Sequence, residues 1–122
     1  SLAQLKAQAN ALVAELKQPG TDFAKMAMTK SSGQQALNGG DLGWRRISEI
    51  PTIFVKYIPA MQINEIVGPI QSSNGFHIIK LVDKRIGTVK QHLETHVRQI
   101  LIKPSVNTSD EEAEKSLRAI RA

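Results

Sequence analysis

The sequence predicts an α+β domain, with helices in its first half and strands in its second. Three observations carry that reading. Leu2, Leu5, Ala9, Leu12 and Leu16 recur at helical spacing until Pro19-Gly20 halts the run. Further on, "EIVGPIQSS" and "GFHIIKLVDKR" meet at Asn74-Gly75, a dipeptide that favours tight hairpins. Near the end, "HVRQILIKP" reads as one more apolar strand, stopped by proline.

Each element follows from local chemistry. The leucine stripe makes the first helix amphipathic, with one buried face. "TDFAKMAM" starts a second helix, with Thr21 or Asp22 as N-cap and Phe23, Met26 and Ala27 facing inward. "SSGQQAL" predicts a short third helix, closed by the flexible "NGG" that follows. "DLGW" is a brief strand, and Arg45-Arg46 a solvated turn. Pro51 suits the first position of a fourth helix over "PTIFVKYI", which Pro59 ends.

Pro69 has no N–H to give a ladder, which assigns its strand to a sheet edge. The next strand carries Phe76, Ile78 and Val82 on one face and His77, Ile79 and Leu81 on the other. Apolar residues on both faces belong to a central strand. Residues 86–94 show no period and read as a linker. Ser109 and Glu112 form a capping box that opens a last helix through "EEAEKSLRAIRA". This helix echoes the first in its Ala-rich, charged composition, the mark of a partial internal repeat.

Composition narrows the function classes. At 122 residues the chain suffices for one domain that buries roughly two thirds of its unfolded surface. No apolar run approaches the roughly 18–20 residues that cross a bilayer, so membrane insertion is not expected. "SLAQLKAQAN" has neither the basic start nor the apolar stretch of a signal peptide. Cysteine is absent, which removes disulfides, thiolate chemistry and cysteine zinc sites without fixing a compartment. The net charge of +5 comes from bases interleaved with acids, and aromatics are few. That pattern describes a solvated mixed-charge surface rather than a nucleic-acid face. His92 and His96 stand four apart, like a helical metal pair, but they precede a strand and lack a carboxylate in motif; no metal or cofactor is expected.

The order of helices followed by "GGDLGW", a helix with Phe54, Val67-Gly68-Pro69 and "GFHI" at 75–78 resembles the parvulin family of peptidyl-prolyl isomerases over residues 1–85. The stretch "QQALNGGDLGWRRISEIPTIF" looks closer still to the first of two tandem modules in a periplasmic chaperone of that family. The resemblance implies a four-stranded antiparallel sheet of order 2-1-4-3 with about four helices. Family modules open with a strand that this chain lacks ahead of its first helix. "RQILIKP" matches that strand, so residues 95–122 look like the head of a second module, joined through the linker 86–94. An empty central slot would leave backbone groups unpaired on two neighbours. Residues 97–103 are therefore expected to fill it, within one chain as a permuted module or in a second copy as a strand-swapped homodimer.

Rotation about an X–Pro bond crosses a barrier of about 18–20 kcal/mol set by amide resonance. Catalysis needs an apolar pocket and a preorganised polar network that favours the twisted amide. By resemblance, Leu42, Ile50 and Phe54 wall the pocket, and His77 with Ser72 supplies the network; His77 is the candidate catalytic residue. Each has a plain alternative, Phe54 as core and His77 as a hydrogen-bonded sheet residue. Trp44 is read as a brace for the sheet. Two departures weaken catalysis. Gly33 stands where active relatives carry Cys or Asp, and the slot-filling strand brings Gln99 where they carry a second histidine. The expected function is a peptide-binding module of a periplasmic chaperone that assists outer-membrane proteins, with weak or absent isomerase activity. Its partners would be unfolded outer-membrane proteins or aromatic-rich peptides. The alternatives are a competent isomerase, and a pure assembly module acting by strand exchange.

Overall fold

The computed structural model describes residues 2–87 and 92–104. The expected last helix and the middle of the expected linker lie outside the described residues. Helix α1 (Leu2–Leu16) buries Leu5, Ala9, Leu12, Val13 and Leu16. Leu2, counted in the stripe, is 56% exposed, because the stripe runs past the edge of what it covers. Helix α2 (Phe23–Lys30) is capped by Asp22, whose side chain accepts from the Lys25 N–H.

The third helix shrinks to a 3-10 turn, Ala36–Asn38, ended by Gly39 in the left-handed region. Strand β1 (Asp41–Arg46) takes in Arg45-Arg46, which the sequence reading placed in a turn. A 3-10 turn, Ile47–Glu49, follows. The fourth helix is α3 (Thr52–Val55), with a separate 3-10 turn at Ile58–Ala60. Pro59 in that second turn and the single-turn length of α3 break what had read as one helix over 51–58.

Strands β2 (Ile66–Ser72), β3 (Gly75–Ile86) and β4 (Leu93–Ile102) complete the antiparallel sheet, ordered β1-β4-β3-β2. With β4 counted as the family's first strand, this is the 2-1-4-3 order that the resemblance implied. Pro69 lies on the edge strand β2, beside a register shift between Val67 and Ile70. Strand β3 is central, with buried residues pointing both ways. β3 and β4 pair from Phe76↔Ile102 to Ile86↔Leu93, so paired backbone occupies both ends of the segment read as a linker.

The sheet separates two packed layers. On the helix face, Ile78 and Ile100 meet Leu12, Val13, Leu16, Phe23 and Ala27. On the other face, Ile79, Leu81 and Val97 meet Ile50, Phe54, Ile58, Met61 and Ile70. Ile100 and Val97 are both fully buried. Strand β4 thus sits in the middle of the sheet and contributes to both cores, within one and the same chain.

Candidate functional site

The segment "GGDLGW" is readable residue by residue. A Cβ on Gly39 would press on Ala24 and the Arg98 guanidinium, and one on Gly40 would run into the Gln99 carbonyl of β4. That close approach lets the Gln99 N–H donate to the Gly40 carbonyl at 2.9 Å. Asp41 Oδ1 accepts the Gly43 N–H at 2.8 Å, and Gly43 adopts φ 71°. The ladder shifts register there, between Asp41↔Arg98 and Trp44↔His96. This bulge puts Asp41 and Trp44 together on the helix face, flanking β4. Leu42, between them, packs on the opposite cluster with Ile50 and Phe54.

The three expected wall residues therefore meet in one apolar cluster. They are not equally accessible. Phe54 is 1% exposed and Ile50 is 5%, so they form a floor, while half-buried Leu42 forms the rim. The Phe54 ring meets the His77 ring edge-on, centroids 5.3 Å apart at 74°.

His77 is itself buried and bonded at both ring nitrogens. Its Nε2 lies 2.7 Å from the Ser72 hydroxyl, and its Nδ1 3.1 Å from Gln99 Oε1. Ser72 Oγ also accepts the Asn74 N–H at 3.1 Å. Gln99 Oε1 can only accept, so the Nδ1 contact is a donation from the ring. Among the described residues no carboxylate contributes to this network. Gly33 lies over the neighbouring row, where a Cβ would touch Ser31 Oγ at 3.3 Å and Leu101 Cβ at 3.7 Å. Leu101 is the cross-strand partner of His77. Beside this row a concavity of about 310 Å3 opens between α3 and β2, lined by Ile53, Lys56, Tyr57, Pro69 and Ile70. A larger one, about 400 Å3, lies between α1, Lys30 and Ile102; neither is lined by any of the candidate residues.

A second polar group occupies the helix face and was not legible from residue types. His96 Nε2 donates to Asp41 Oδ1 at 2.6 Å, and Arg98 stands 3.8 Å from Asp41 Oδ2. Arg98 also donates to the Gly39 carbonyl at 3.0 Å. Trp44 packs on His96, centroids 5.6 Å apart, with the Arg85 guanidinium 3.9 Å over its ring. Partial burial pushes the Asp41 carboxyl up, but the Gly43 N–H, His96 and Arg98 together hold it below its ordinary value. The signal that could have found His96 was strand alternation, which sets His96 and Arg98 on one face of β4. Helical spacing to His92 pointed elsewhere.

Comparison with known proteins agrees with this architecture. The rotamase family model, described as a PPIC-type PPIASE domain, matches residues 1–83. The chain is 46% identical over 109 residues to the Chaperone SurA of Pseudoalteromonas atlantica, covering 89% of this chain and 25% of that protein. It is 49% identical over 123 residues to the Chaperone SurA of Vibrio vulnificus, covering 97% of this chain and 28% of that one. The chain thus spans about a quarter of the length of the curated relatives it matches. A crystal structure of a PpiC-type peptidyl-prolyl cis-trans isomerase domain superposes with a TM-score of 0.66 at 37% identity, over 71% of this chain and 80% of that one. Matched across its helices, the "GGDLGW" bulge and the hairpin that carries His77, this chain belongs to the PPIC-type peptidyl-prolyl isomerase, or parvulin, family.

Proposed function

We propose that the domain is a peptide-binding parvulin module of a periplasmic, SurA-like chaperone that assists outer-membrane proteins, with weak or absent prolyl isomerase activity. One observation carries the reading: His77 is held between a hydroxyl and an amide, over an apolar floor of Ile50 and Phe54. Such a network can orient a peptide through hydrogen bonds. It offers no carboxylate or thiol to stabilise a twisted amide, and Gly33 adds no side chain. Clients would be unfolded outer-membrane strands, whose alternating pattern is rich in aromatics at the membrane interfaces. Likeness to proteins named Chaperone SurA supports the chaperone part of this reading.

On this reading residues 1–85 belong to the first module and 95–122 to the head of a second, and the segment 86–94 between them is paired strand at Ile86 and at Leu93-Glu94. The β3–β4 pairing within one chain supports a self-completed monomer. A strand-swapped homodimer would instead appear at twice the mass on sizing and lose that mass on truncation after Arg85.

The short Ser72–His77 bond favours the rival reading, a competent isomerase. Two measurements separate them. Titration with a proline-containing, aromatic-rich peptide should give a saturable response, lost or reduced in Leu42→Ala. An isomerisation assay should give rates near background for the wild type and for His77→Ala alike. Rates far above background that vanish in His77→Ala would establish the enzyme and overturn our reading.

A further inference from the structure

We propose that His96 and Arg98, acting through Asp41 on the helix face, are positioning residues for the proposed peptide groove, whose apolar wall of Leu42, Ile50 and Phe54 lies on the opposite face. The role rests on the reading of that groove as a peptide site. Asp41 and Leu42 are consecutive in an extended strand, so their side chains leave the sheet on opposite sides. Whatever fixes Asp41 on one side fixes where Leu42 stands on the other.

Asp41 is fixed three ways. It accepts the Gly43 N–H inside the bulge, accepts from His96 Nε2, and faces the Arg98 guanidinium. Both cross-strand groups belong to β4, and Arg98 additionally ties down the Gly39 carbonyl. Without them, β1 would depend on a ladder interrupted by its own bulge. Leu42 is also the accessible wall residue; Ile50 and Phe54 are already buried in the chain alone. A shift of β1 would therefore open or close the groove chiefly at Leu42. Phe54, held from α3 and 1% exposed, would not follow.

The test uses the full chain with methyl-labelled leucine and isoleucine, and a synthetic aromatic-rich peptide with one proline. In His96→Ala the Leu42 methyl signals should move, while those of Ile100 and Leu12 stay in place. Peptide affinity should fall about fivefold, the equivalent of one lost hydrogen bond. His96→Gln, whose amide nitrogen can donate to Asp41, should restore both readouts. Glu94→Gln, which loosens the neighbouring Arg85–Glu94 pair, should change neither. Unmoved Leu42 signals in a folded His96→Ala would overturn the proposal, as would failure of His96→Gln to restore them. Should His96→Ala not fold, Asp41→Asn is read by the same Leu42 signals. If the wild type binds no peptide, the groove reading fails, and the Leu42 signals still decide the positioning role.

Discussion

The two faces of the sheet carry opposite kinds of polar group. On the groove side, Ser72, His77 and Gln99 form a network of hydroxyl, imidazole and amide. On the helix side, Asp41 pairs with His96 and Arg98, which lies beside the start of α2, and Arg85 pairs with Glu94. Hydrogen bonds between uncharged groups are tolerated in a buried setting once each atom is paired, and they aim a side chain with precision. Charged pairs need solvent nearby, and they respond to pH and salt. The difference teaches a division of labour. One face holds the hydrogen-bonded network proposed for peptide binding, and the helix face holds side-chain pairs that link β1 to β4. β4 serves both, through Gln99 on one side and His96 and Arg98 on the other.

The largest expected effect breaks both faces at once. Ile100→Asp buries an unpaired carboxylate at a fully enclosed position and should prevent folding, as read by circular dichroism and amide dispersion. Phe54→Ala acts on the groove side alone and should cost about 3–5 kcal/mol in urea unfolding.

Asp41 sharpens the comparison through pH. Its folded pKa is lowered, so the stability it contributes is present above the unfolded value near 3.8 and is lost as pH falls through the lower, folded value. The urea midpoint of the wild type should therefore drop more steeply between pH 5 and pH 2 than that of Asp41→Asn (roughly the span on either side of a carboxylate pKa). Equal slopes would remove the helix-face pair from the account. The smallest effect is a gain. Thr95 Oγ1 is fully buried and, among the described residues, stands without a hydrogen-bond partner. Thr95→Val should stabilise by about 1 kcal/mol, measured in the same titration.

Much of this was legible from residue patterns, and the reasons are physical. The stripe of α1 and the two apolar faces of β3 follow from burial, which leaves a period in the sequence, and the edge position of Pro69 follows from its missing N–H. Leu42, Ile50, Phe54, Ser72 and His77 were named from a motif and are gathered here around one cluster and one hydrogen-bonded histidine. The short helices were over-read because propensity is weak over three or four residues and local turns satisfied the backbone first. The outermost ends of β3 and β4, Ile86 and Leu93-Glu94, were read as linker since no apolar alternation marks them. The Asp41–His96 bond joins residues 55 apart, a separation that only the register of β4 brings within reach.

Amide hydrogen exchange at Ile100 puts the central claim most directly at risk. A strand seated between β1 and β3 should protect that amide as strongly as those of Ile78 and Ile79 in the neighbouring strand. Exchange at Ile100 at the rate of an open chain, with Ile78 and Ile79 still protected, would mean that the sheet stands without β4 and that Gln99, His96 and Arg98 have no part in the site.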